Sequence, residues 1–317
     1  MGKVAFIFPG QGAQYVGMGR ELAEQYPQFR RYFDEASEVL GFDLARLCFE
    51  GPEERLQETA NTQPAILTVS VATLALLRER GLEPDVVAGL SLGEYTALVA
   101  AGVLEFRRAV DLVRRRGIYM QEAVPLGQGT MAAILGLEAH AVEEICRQAQ
   151  DVGWVEPANY NCPGQVVIAG HVAAVEKAVR LAQAAGAARA VILPVSAPFH
   201  CKLLAPAGER LARDLEAVPL APARIPVVAN VTADYVREPE AIRELLIRQV
   251  SSPVRWEESV RRMVADGVDT FVEVGPGRTL SGFVRRIDRK LRVFNVEDNQ
   301  SLGKLLDCWG EGLLICC

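Results

Sequence analysis

Residues 86–102 read V-V-A-G-L-S-L-G-E-Y-T-A-L-V-A-A-G. An apolar run reaches Gly89, a single hydroxyl follows at Ser91, and an alanine-rich amphipathic run leaves from Gly93. The first run reads as a buried strand and the second as a helix. Gly89-Leu90-Ser91-Leu92-Gly93 fits G-x-S-x-G at their junction. The glycines remove side chains that would clash in so sharp a bend, and the serine hydroxyl projects from the top of the sheet. The helix brings its N-terminal N–H groups and the positive end of its dipole to that hydroxyl. The N–H of Leu92 can then stabilise an oxyanion on whatever bonds to Ser91. The alternative is a tight turn in which Ser91 only caps the helix.

Working outward, residues 3–8 predict a short buried strand ended by Pro9-Gly10-Gln11-Gly12. Strand 85–90, helix 92–101 and helix 106–120 follow, and this alternation points to an α/β fold with a helix-covered parallel sheet. Between 128 and 195 the pattern changes. Strand 130–136, helix 138–149, strands 154–160 and 165–169 about the turn 161–164, helix 172–185 and strand 189–195 give β-α-β-β-α-β, a ferredoxin-like unit. It reads as a small domain, 128–195, inserted in a discontinuous large one, 1–127 and 196–317. The latter resumes with strand 225–230, helices 241–250 and 254–266, strand 270–274 and helix 280–285.

The chain has 317 residues, half of them hydrophobic, which is enough to bury a large core. Its net charge of −6 argues against a nucleic-acid binder. The apolar run at 4–8 stops at Pro9-Gly10, so no signal peptide is expected. The longest apolar stretch, 64–77, is too short to span a bilayer and reads as a buried helix, so no membrane partner is expected. Seven scattered cysteines fit a reducing cytoplasm, and without C-x-x-C or clustered histidine no metal is expected.

A nucleophilic serine needs a base, and the chain has three histidines. His140 lies among glutamates on a solvated helix face, and His171 begins a small-domain helix. His200 stands where the chain leaves the small domain, facing an interdomain cleft, and is preferred. No carboxylate has a tell-tale position as its partner; a main-chain carbonyl can fix the tautomer as well. Cys201 is a weaker candidate nucleophile, because adjacent side chains point apart.

A series of segments then falls into place: Phe8-Pro9-Gly10-Gln11-Gly12-Ala13-Gln14, Gly17-Met18-Gly19, Thr62-Gln63-Pro64-Ala65, Gly89 to Tyr95, Arg116-Gly117 with Met120-Gln121, Asn161 to Gln165, and Ala197-Pro198-Phe199-His200. In order, and as far as about residue 300, this series resembles the malonyl-CoA:acyl carrier protein transacylases. The resemblance implies an α/β-hydrolase-like large domain carrying the inserted ferredoxin-like one. It implies ping-pong transfer of a malonyl group from malonyl-CoA, through an ester on Ser91, to the phosphopantetheine thiol of acyl carrier protein, with no cofactor. His200 would be the base, Gln11 and Leu92 the oxyanion-hole N–H donors, Arg116 the holder of the malonyl carboxylate, and Gln63 and Gln249 further residues lining the pocket. The main-chain carbonyl region of Gln249 would help to hold the histidine. Phe199 resembles the malonyl-selective members.

Arg116 also makes chemical sense alone, since a guanidinium offers a carboxylate two parallel hydrogen bonds. Locally, however, Arg114-Arg115-Arg116 before Gly117 looks like a solvated helix end. Two features depart from the family: Leu90 stands where a histidine is usual, and the ending 308–317 is unusual and apolar, suggesting packing on the body or a neighbour. Anionic coenzyme A and carrier protein require a local basic patch, and Arg285, Arg286, Arg289, Lys290 and Arg292 form the densest cluster. Malonyl loading for a polyketide synthase, a serine thioesterase or esterase, and a non-catalytic docking module are the competing readings.

Overall fold

The computed structural model describes residues 2–195 and 197–310. Its strands, in chain order, are β1 Lys3–Phe8, β2 Val86–Gly89, β3 Gly129–Leu135, β4 Val155–Cys162, β5 Gln165–His171, β6 Arg189–Ile192, β7 Val227–Ala229, β8 Asp234–Val236, β9 Val268–Val274 and β10 Arg292–Val296. They form a six-stranded sheet ordered β10-β9-β1-β2-β7-β8 and a four-stranded sheet ordered β4-β5-β3-β6.

Alternation along β1 explains the layering. Val4, Phe6 and Phe8 enter one apolar cluster, while Ala5 and Ile7 enter another on the opposite face. A strand buried on both faces needs helices above and below, which is the α/β arrangement. The larger sheet is not wholly parallel, as the sequence pattern suggested. Its strands pair in parallel from β10 to β7, but β8 pairs antiparallel with β7. A connection of four residues, 230–233, is too short for a parallel crossover.

The smaller sheet is antiparallel throughout and carries its own apolar cluster beneath helices Ala139–Ala149 and Val172–Ala184. It joins the larger body where Tyr160 N–H donates to Val254 O and Val254 N–H to Ala158 O, both at 2.9 Å. Strand β6 ends at Ile192, short of the expected 195; Ser196 lies outside the described residues. Helix Thr59–Glu79 is longer than expected, and long and apolar enough by composition to cross a membrane, yet 89% of that stretch is buried in the protein. The last helix, Asn299–Gly310, sets Cys308 and Trp309 against the main core; residues 311–317 of the apolar ending, with Cys316 and Cys317, lie outside the described residues.

The bend after β2 works only with glycine. A Cβ on Gly89 would stand 1.9 Å from the Gly93 carbonyl carbon, and one on Gly93 would stand 2.0 Å from Phe8 O. Helix and sheet touch backbone to backbone here, and nothing flexible can yield. Gly89→Ala is expected to destabilise the fold by about 3 kcal/mol or more. Gly303→Ala, where a Cβ meets nothing within 4 Å, should be neutral or stabilising by up to about 1 kcal/mol. Denaturant midpoints of the two variants check the contrast.

Candidate active site

Strands β1, β2 and β7 run parallel, and their C-terminal ends bring Gln11, Ser91 and Asn230 to one edge of the sheet. Open α/β sheets bind ligands at that edge. A cleft of about 490 Å³ opens there, lined among others by Gln11, Gln63, Ser91, Leu92, Arg116 and His200. Phe199 and Leu90 also line it, as do Met131 and Val167 from the smaller sheet.

Ser91 sits at φ 54°, ψ −105°, outside the regions a side chain ordinarily adopts. Strain of this kind costs about 1–3 kcal/mol and persists only where the surroundings over-determine it. Asn230 supplies that constraint: its Oδ1 accepts from Ser91 N–H and its Nδ2 donates to Gly89 O, both at 2.7 Å. The elbow is clamped across its two sides by one amide. Leu92 is the first residue of helix Leu92–Ala100, so its N–H lies outside the i→i−4 ladder, and the residue lines the same cleft.

Ser91 Oγ lies 2.6 Å from His200 Nε2, and His200 Nδ1 lies 2.9 Å from the Gln249 main-chain carbonyl. A carbonyl only accepts, so Nδ1 carries the proton and Nε2 is the bare acceptor for the serine hydroxyl. Among the described residues no carboxylate orients the ring. Burial, and then the nearby Arg116 charge, push the His200 pKa down to about 4. The ring is therefore neutral and able to take a proton across the neutral range. Followed by NMR, it is expected to stay in the Nδ1–H form until pH falls toward 4; half-protonation near 6.5 would contradict this. Because the unfolded ring protonates near 6.5, this group favours the folded state above that pH, and the contribution is lost as pH falls through the folded value.

Arg116 is not at a helix end. Helix Phe106–Glu122 continues through Gly117, and Arg116 is 1% exposed. The glycine marks a close crossing instead, since a Cβ on Gly117 would stand 2.7 Å from Thr59 O on the helix that carries Gln63. That approach lets Arg116 Nη1 donate to Gln63 Oε1 at 2.8 Å. Nη2 donates to Gln249 Oε1 at 2.9 Å and to Ser91 Oγ at 3.1 Å. The guanidinium packs over the Tyr95 ring, 5.3 Å from its centroid, and burial pushes its pKa down.

The remaining candidates fall elsewhere. His140 is exposed, and His171 Nδ1 accepts from Trp154 N–H at 2.8 Å. Cys201 is buried, its thiol donates to Pro198 O, and burial pushes its pKa up to about 12, which disfavours a thiolate. Part of the basic cluster is engaged within the chain. Arg286 reaches Gln165 Oε1 and Pro163 O at the β4–β5 turn, Arg285 donates to Val293 O, and Arg292 pairs with Asp269. Among the described residues no group of three or more His, Cys, Asp or Glu is placed to hold a metal. Sequence reasoning missed Asn230 and the buried Glu94; for Asn230 the one available signal was its position directly after a short strand.

The family described as the acyl transferase domain matches residues 5–306. The chain is 50% identical over 303 residues to the malonyl CoA-acyl carrier protein transacylase of Bacillus subtilis (strain 168), across 95% of this chain and 96% of that protein. It is similar to the solved acyl carrier protein S-malonyltransferase of Vibrio cholerae, with TM-score 0.93, 49% identity and coverage of 96% and 99%. It is also similar, with TM-score 0.94, 46% identity and coverage of 96% and 99%, to a malonyl-transacylase solved in complex with its type II PKS acyl-carrier protein.

Proposed function

The chain belongs to the acyl transferase domain family, and from that premise we propose that it moves a malonyl group from malonyl-CoA to the phosphopantetheine thiol of acyl carrier protein in fatty acid synthesis. The observation that carries the reading is a buried arginine donating to the oxygen of a serine that also faces a neutral histidine. A nucleophile and an unpaired cation side by side suit an acyl group that ends in a carboxylate.

His200 Nε2 takes the Ser91 proton as Oγ attacks the thioester carbonyl. The N–H groups of Leu92 and Gln11 hold the oxyanion. Collapse breaks the C–S bond, and the histidine returns its proton to the leaving coenzyme A thiol. The malonyl ester remains on Ser91 with its carboxylate on Arg116, and Gln63 and Gln249 fix that guanidinium. The carrier thiol then enters, loses its proton to His200, attacks the ester, and Ser91 recovers its proton. Every bond and proton balances on side chains and substrates, so the reaction calls for no metal or cofactor.

We read the large sheet and its helices, 1–127 and 196–317, as α/β-hydrolase-like, and the unit at 128–195 as ferredoxin-like and forming one wall of the cleft. Cytoplasmic residence follows from the pathway. Loading of a polyketide carrier is the second reading, favoured by the likeness to the malonyl-transacylase of the type II PKS complex.

The test is discharge of the isolated malonyl enzyme by holo-carrier protein and by buffer alone. Malonyl should appear on the carrier many times faster than malonate appears in buffer. Equal decay with and without carrier would identify a hydrolase.

A further inference from the structure

Glu94 lies in the first turn of helix Leu92–Ala100 and is 2% exposed. Among the described residues no arginine or lysine side chain pairs directly with its carboxylate. Its Oε2 accepts instead from the Asn230 main-chain N–H at 3.0 Å and from Gln249 Nε2 at 2.7 Å. Gln249 Nε2 donates in addition to Ser91 O at 3.1 Å, while its Oε1 accepts from Arg116 Nη2. The amide of Gln249 therefore spans a carboxylate and a carbonyl on one side and a guanidinium on the other.

An amide has one donating end and one accepting end. Turned over, Gln249 would set its NH2 against Arg116 and its oxygen against Glu94 Oε2 and Ser91 O. Both contacts would become repulsive, in a buried site where such contacts are most costly. Two amide oxygens, from Gln63 and Gln249, then hold the guanidinium in place, and among the described residues no carboxylate pairs with it directly. Burial pushes the Glu94 pKa up to about 7, while the hydrogen bonds from Asn230 and Gln249 and the Arg116 charge favour its ionised form; as a carboxylate it stands one amide from the guanidinium and off that group's hydrogen-bonding edge. The same Oε2 holds Asn230, whose side chain clamps the serine elbow.

We propose that Glu94 is a positioning residue: it fixes which end of the Gln249 amide faces Arg116, and thereby sets the preference for an acyl group ending in a carboxylate. This rests on the malonyl-transfer reading above. The experiment measures initial rates of ester formation on Ser91 from malonyl-CoA and from acetyl-CoA, in wild type, Glu94→Gln and Glu94→Leu. In Glu94→Gln the new amide oxygen can take the place of Oε2 and accept from the same two donors. The malonyl-to-acetyl ratio should stay within about threefold of wild type, even where both rates fall. In Glu94→Leu the Gln249 amide is released, and the ratio should fall about tenfold or more, the value of one hydrogen bond to a charged group.

A Glu94→Leu protein that loses both rates equally, with its ratio intact, would overturn the proposal in favour of a structural role. A Glu94→Gln protein that loses the ratio as far as Glu94→Leu would also overturn it, because the charge and not the amide would then be the determinant. Should Glu94→Leu fail to fold, Glu94→Met, which keeps the length of the side chain, takes its place: a fall in the ratio supports the proposal, and an unchanged ratio overturns it. A wild-type protein that forms no malonyl ester overturns the transfer reading and this inference together. Wild-type selectivity that survives Glu94→Leu overturns this inference alone.

Discussion

Replacing His200 by alanine is expected to slow formation of the malonyl ester by about a hundredfold to ten-thousandfold, the usual weight of a general base. The size follows from what surrounds the serine oxygen. Among the described residues its partners are His200 Nε2 at 2.6 Å and Arg116 Nη2 at 3.1 Å, and a guanidinium only donates. Glu94, the nearest carboxylate in the network, spends its Oε2 on Asn230 and Gln249. With the imidazole gone, nothing placed at Oγ can take its proton. The variant should keep its fold, since His200 contributes no backbone turn that alanine forbids outright, although its positive φ of 60° adds some strain. Time-resolved intact mass measures the loss, and near-UV circular dichroism confirms the fold. A loss under about tenfold would mean that another base serves Ser91.

Arg116→Met carries the second large effect. Methionine keeps most of the stem volume and removes the charge. Malonyl loading should fall by about a hundredfold to a thousandfold, as expected for two charge-assisted hydrogen bonds to a carboxylate. Acetyl loading should change far less, because an acetyl group offers the guanidinium no partner. Part of the cost is indirect: Gln63 Oε1 and Gln249 Oε1 lose their donor in a buried site. The decisive quantity is therefore the ratio of the two substrates, read as kcat/KM for each. Equal losses on both would place Arg116 in the scaffold and not in acyl recognition.

The two effects differ in how legible their residues are. Ser91 announces itself because the bend it occupies needs glycine on both sides: a Cβ added at either glycine would come within 1.9 or 2.0 Å of backbone atoms. Arg116 does not. Its neighbours Arg114 and Arg115 are surface-type residues that bond Asn61 and Asp214, and Gly117 imitates a helix stop. Only the crossing with the helix at Thr59–Glu79 shows that the glycine admits a neighbour and that Arg116 points inward. The orienting group of His200 was open between a carboxylate and a main-chain carbonyl, and a carbonyl at Gln249 occupies the position. Glu94 and Asn230 stayed hidden for a different reason. Their contact joins positions 136 residues apart, and that between Glu94 and Gln249 joins positions 155 apart. A glutamate in the first turn of a helix reads locally as a complement to the dipole. The sheet order that makes it a buried hub is a long-range fact.

The antiparallel β8 escaped the sequence for a related reason: three residues, 234–236, with half-exposed Tyr235 between exposed Asp234 and buried Val236, carry too little pattern to show direction. The alternation along β1, by contrast, sends side chains to both faces and required the two helical layers that are present.

The central claim is that Ser91 carries the malonyl group between two thiols. Its most direct test is intact-mass analysis after brief exposure to malonyl-CoA, with acetyl-CoA and Ser91→Ala in parallel. One malonyl adduct is expected on the wild-type chain, little adduct from acetyl-CoA, and none on Ser91→Ala. An adduct that survives Ser91→Ala, or wild-type protein that turns over malonyl-CoA without ever carrying the acyl group, would contradict it.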